Sequence, residues 1–110
     1  MAKYYLKGHA REDIAQIRSY TRKAWGNEQW LKYKNELFQK LQNLADKPSM
    51  GIVISDISEN AFRFPLKDHV VYYLKRENDV VFVGVISNNL SPISHTLREL
   101  NLAKEDSKQS

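Results

Sequence analysis

Val80-Val81-Phe82-Val83-Gly84-Val85-Ile86 is the most apolar run in the chain. Its length suits a strand, and an unbroken apolar run suits one that is covered on both faces. It is therefore expected to be the central strand of a sheet with material packed on either side. Immediately upstream, Glu77-Asn78-Asp79 supplies a hairpin loop, and His69 through Arg76, rich in Val and Tyr, supplies a second strand. Further back, Phe62, Phe64 and Leu66 alternate with Ala61, Arg63 and Pro65, and Lys67-Asp68 provides the turn. Lys3-Tyr4-Tyr5-Leu6-Lys7 is a short first strand that ends at Gly8. Residues 49–60 carry Ile52-Val53-Ile54 but are broken on both sides by Gly, Ser, Asp and Asn, so they read as a loop with some buried anchors.

Between the first strand and that loop the period changes from two to about 3.6. Ile14, Ile17, Thr21, Ala24 and Trp25 fall on one face of a helix, and Gly26 stands where a helix end favours a residue without Cβ. Asn27 is a natural N-cap for a second helix, whose apolar stripe is Trp30, Tyr33, Leu37, Leu41 and Leu44, supported by Phe38 and Ala45. Pro48 stops it. Two helices joined by a single Gly-Asn step fold back as an antiparallel hairpin. Trp25, Trp30, Leu37 and Leu41 are expected to pack on Tyr72, Leu74 and the central strand. Ser91-Pro92 opens a short last helix, with Ser as cap and Pro at its first position. The fold class is α+β: an N-terminal strand, an antiparallel helical hairpin packed on a small, largely antiparallel sheet of about four strands, and a short C-terminal helix. A single domain is expected over residues 1–102, followed by a polar, flexible tail over 103–110.

A chain of 110 residues supports one core, and a 42% hydrophobic share is enough to build it. No cysteine is present, which excludes disulfides, thiolate metal sites and cysteine nucleophiles. No run approaches the ~18 apolar residues of a membrane helix, and the first residues lack the apolar core of a signal peptide. A cytoplasmic protein with no membrane partner is expected. Net charge is +4. Residues 1–47 hold 10 Lys and Arg against 5 Asp and Glu, and residues 48–110 hold 7 against 8. A first half at +5 suits an acidic partner, although a solvated basic helix face gives the same count.

No phosphate loop, zinc-protease motif, nucleophile elbow or calcium loop is present. His9, His69 and His95 lack metal spacing and read as surface or structural residues, so no metal or other cofactor is expected. Glu12-Asp13 suits the first turn of a helix, where the dipole favours negative charge. Strand parity gives one sharper possibility. If Val70, Tyr72 and Leu74 face the helices, then Arg63, His69, Tyr73 and Lys75 share an open face, with a cation, a base and aromatic area as an RNA-cutting site requires. An ordinary polar sheet face with Arg stacked on Tyr accounts for the same residues.

Several stretches resemble the ParE branch of the RelE/ParE toxins. Tyr20-Thr21-Arg22-Lys23-Ala24-Trp25-Gly26-Asn27 looks like the family's hairpin turn, and Leu44-Ala45-Asp46-Lys47-Pro48-Ser49-Met50-Gly51 like its helix exit. Phe62-Arg63-Phe64 followed by His69-Val70-Val71-Tyr72-Tyr73 resembles its Arg-bearing strand and the next one. Asn89-Leu90-Ser91-Pro92-Ile93-Ser94-His95 looks like its C-terminal segment. Together these span most of residues 3–97. The resemblance implies the toxin of a type II toxin–antitoxin module that poisons DNA gyrase and so blocks replication. It also implies a ParD-like antitoxin that wraps the toxin, with operator DNA met only indirectly through the antitoxin complex. Arg11, Arg18, Arg22 and Lys23 on the first helix are the cations expected to meet that antitoxin. RelE relatives share the fold but cut messenger RNA on the ribosome, with further cations and a Tyr after the last strand. Here Val85-Ile86-Ser87-Asn88-Asn89-Leu90 has neither, although Arg63 matches a position that the nucleases use.

Overall fold

The computed structural model describes residues 2–107. The chain runs through β1 (Lys3–Leu6), α1 (Ala10–Trp25) and α2 (Asn27–Asp46), then a 3-10 turn at Pro48–Met50. It continues through β2 (Ile52–Val53), β3 (Ala61–Pro65), β4 (His69–Lys75), β5 (Asp79–Ser87) and α3 (Pro92–Ser107). The strands form one sheet in the order β1-β5-β4-β3-β2. Only the β1–β5 pair is parallel; the other three are antiparallel. The α+β class and the helical hairpin are as the sequence predicts. The fifth strand is β2, a two-residue edge taken from the stretch expected to be loop.

The apolar run is indeed central. β5 lies between β1 and β4, and Val80 through Ile86 are all buried. Both faces are covered. The α1/α2 hairpin packs on one with Val71, Tyr73, Val80, Phe82 and Val85, supported by Phe62, Phe64 and Leu66. On the other, Ala61, Tyr72, Leu74, Val81, Val83 and Ile86 meet Leu102 of α3 and the anchors Ile54 and Ile57. A bulge in β5 lets this arrangement hold: Tyr72 pairs with Gly84 but Tyr73 pairs with Phe82, so Val83 is the extra residue.

The second helix buries the predicted stripe, with Leu41 and Leu44 fully covered and Trp30 nearly so. The first helix departs from expectation at its end. Ile14, Ile17 and Thr21 are buried, but Ala24 and Trp25 are exposed because the last turn of α1 overhangs the sheet. Gly26 takes the positive φ that the turn needs (φ 92°). It also occupies the N-cap position of α2, so Asn27 is the first helical residue and makes no side-chain cap. Of the stretch 103–110, Ala103–Ser107 continue α3 and Glu105 is buried; the last three residues lie outside the described residues. Leu102 in the second core cluster and the buried Glu105 hold this end of α3 in place.

Candidate functional site

A groove of about 670 Å³ opens where the overhanging end of α1 faces the C-terminal end of β5. Ile17, Thr21 and Val85 contribute to its apolar lining, with Tyr20, Trp25 and Leu90 at exposed positions. β4 begins at this groove with His69, and one turn into α2's buried stripe Tyr33 reaches over to it. The Tyr33 hydroxyl and His69 Nδ1 are 3.0 Å apart. Burial, with Asp68 and Glu36 nearby, pushes the Tyr33 phenol up to about 12. Burial holds His69 below its ordinary value, against the opposing pull of Asp68 and Asp13. Near neutrality Tyr33 thus keeps its proton and His69 is uncharged, and in the Nε2–H tautomer of His69 the phenol donates to Nδ1. The pair offers a half-buried, uncharged donor and acceptor at the groove, rather than a charged centre.

His69 makes stability depend on pH in a defined sense. Its folded pKa lies below the ordinary 6.5, so the unfolded chain binds more protons between the two values. Stability is therefore lost as the pH falls below that value. Replacing His69 with Gln is expected to reduce the drop in melting temperature between pH 7 and pH 5, measured by circular dichroism. An identical drop in both proteins would place the acid sensitivity elsewhere.

A second assembly borders the same groove. Asp13, 5% exposed, accepts from the Val85 backbone N–H at 3.0 Å and from the Arg98 guanidinium at 2.6 and 3.2 Å. It thereby ties α1 to β5 and α3 at once. The Arg98 stem crosses Gly84, where a Cβ would stand 2.7 Å from Arg98 Cδ. His95 braces the same helix, with Nδ1 2.7 Å from the Tyr72 hydroxyl and Nε2 3.2 Å from the Ser87 carbonyl. In the Nε2–H tautomer both contacts are hydrogen bonds.

The four residues expected to share an open face do not do so. In the register Phe62 pairs with Tyr73 and Arg63 with Tyr72, so Arg63 lies on the α3 side while His69 and Tyr73 lie on the hairpin side. Phe62 and Tyr73 stack at 5.4 Å, which fixes that parity. Tyr73 is fully buried and its hydroxyl donates to the Pro48 carbonyl at 2.6 Å. Lys75 is exposed at the end of β4. The inference failed because both faces are covered: Val70-Tyr72-Leu74 and Val71-Tyr73 are equally apolar, and alternation could not say which met the hairpin. For the same reason Tyr72 and Leu74 pack beneath α3, and not beneath Leu37 and Leu41. Among the described residues no cluster of metal-ligating side chains occurs.

Arg11, Arg18, Arg22 and Lys23 are all exposed. Steps of seven and four residues place the three arginines on one flank of α1, and Lys23 is turned about 100° from Arg22.

The model of the ParE toxin of the type II toxin–antitoxin system parDE matches residues 4–89. This chain belongs to the ParE toxin family. Toxin ParE1 of Caulobacter vibrioides is 32% identical over 73 residues, which span 66% of this chain and 76% of that protein. As a ParE toxin the chain is one half of a pair, and an antitoxin is its counterpart. The matched region holds all five strands and the α1/α2 hairpin, and it stops just before α3. The Tyr33–His69 pair, Asp13 and most of the groove's lining fall inside it; Leu90, Arg98 and His95 fall outside. No helix among the described residues is long and apolar enough to cross a membrane.

Proposed function

We propose that this ParE toxin acts in the cytoplasm by binding DNA gyrase and trapping it on cleaved DNA, and that a ParD-like antitoxin silences it. The family match over residues 4–89 carries this reading. Two features of the chain support it over the RNA-cutting activity of RelE relatives. The stretch Val85–Leu90 has no cation and no tyrosine, and Arg63 is separated by the thickness of the sheet from His69 and Tyr73. Arg11, Arg18, Arg22 and Lys23 give an acidic antitoxin segment a charged surface to approach, which raises the rate of encounter more than it prolongs the complex.

Purified toxin should block gyrase supercoiling and accumulate linear, protein-linked DNA, while leaving messenger RNA on programmed ribosomes intact. In cells, expression without antitoxin should induce the DNA-damage response and filamentation. Uninhibited supercoiling together with mRNA cut at codon boundaries would replace this reading with the nuclease one.

A further inference from the structure

Helix α3 is amphipathic the wrong way round. The residues it turns to the sheet are Leu102, Glu105, Arg98 and His95, of which only the first is apolar. Outward it shows Ile93, Leu97 and Leu100, with Ile93 72% exposed and the other two about half exposed. At ~100° per residue these three lie within about 60° of one another, in a single row along the helix. Leu90, in the bend that precedes the helix, is also exposed and lines the groove beside α1. A surface helix ordinarily buries such a row and leaves its charges in water. Here the polar side is held in place by the Arg98–Asp13 pair and by His95, so the apolar row is fixed facing out.

We propose that this row is a docking seam for an amphipathic helix of the antitoxin, carrying apolar residues at matching three- and four-residue steps and a carboxylate opposite Lys104. The inference rests on the family assignment, which supplies the antitoxin. Within α3 the spacing Ile93, Leu97, Leu100 takes steps of four and three, the repeat by which one helix packs on another. The next position of that repeat is Lys104, which is exposed, and the flanking Ser94, Thr96 and Asn101 are uncharged. The seam therefore ends in a cation with no acid in its own row, within a chain of net charge +4, and an acidic partner complements it. A second copy of this chain fits less well. Three apolar side chains on one helix fall well short of the ~800 Å² per partner of a stable interface, and a second copy brings the same cation rather than an acid. The antitoxin needs the seam only as one part of a wrapping contact.

The absence of cysteine permits a direct test, since Leu97→Cys creates a unique labelling site. With an environment-sensitive dye there, adding the purified antitoxin encoded beside this toxin should give a saturable blue shift. The double variant Ile93→Glu/Leu97→Glu should melt as the parent does, because both positions are exposed, and should still arrest growth when expressed alone. Its dissociation constant for the antitoxin should rise about 100-fold, as expected when central apolar anchors are lost. An unshifted dye, or unchanged affinity in the double variant, would overturn the proposal. So would a parental dimer that the double variant dissolves while antitoxin binding stays unchanged, which would assign the seam to a second copy. If the parent binds no antitoxin at all, the partner reading itself fails and this occupant with it.

Discussion

Replacing Trp30 with Ala should lower the unfolding free energy by roughly 3–5 kcal/mol, the range for removing a large aromatic from a packed core. Trp30 is 5% exposed and belongs to the cluster that joins α1, α2 and the hairpin side of the sheet. Its loss leaves a cavity in that cluster, and closing it requires neighbouring elements to move. For a domain of this size each kcal/mol shifts the melting temperature by about 4–8 °C, so the variant should melt well below the parent or fail to fold at 37 °C. Trp25→Ala is the control. Trp25 is 71% exposed, and its replacement should change stability by less than about 0.5 kcal/mol. Urea unfolding of both variants checks the pair. Equal losses would mean that the end of α1 folds down onto the sheet in solution.

The two tryptophans also show how far the sequence can be read. Both fit a helical apolar stripe, and nothing in a 3.6-residue period says where a helix runs off the edge of the sheet beneath it. α2 read correctly because its stripe is buried from Trp30 through Leu44, with only Tyr33 half-exposed. α1 read correctly only as far as Thr21. The central strand was legible from Val80–Ile86, since an apolar run of that length needs cover on both sides. That same double cover removed the information needed to orient β4, where both parities are apolar. The single extra residue at Val83 is hidden within a run of valines. The site features were less legible still. Tyr33 and His69 are 36 residues apart and Asp13 and Arg98 are 85 apart, so no local spacing links them. Asp13 reads as a first-turn acid stabilising the helix dipole. One hint was present: its apolar-side position one residue before Ile14, on the face that α1 buries. In α3, Ile93, Leu97 and Leu100 sit at helical spacing, yet a period alone does not show that they face out rather than in.

The second large effect concerns Asp13. Asp13→Ala removes the acceptor for two partners at once, the Arg98 guanidinium and the Val85 N–H. Breaking a buried ion pair from one side typically costs ~3–5 kcal/mol, because the other charge is left uncompensated. Arg98 keeps 18% of its side chain in solvent and can partly rehydrate, which brings the expected loss to roughly 2–4 kcal/mol. The loss should not be spread evenly. Arg98 is an ionic tie between α3 and α1, whereas α1 and α2 retain their apolar packing on the hairpin side. Hydrogen exchange should therefore quicken first across α3, and at the Val85 amide, while α2 keeps its protection. Adding Arg98→Met should recover part of the stability by removing the stranded charge and keeping the stem over Gly84. Two single losses that simply add in the double variant would show that Asp13 and Arg98 are not coupled, and that α3 is held by its other contacts, Leu102 and His95 among them.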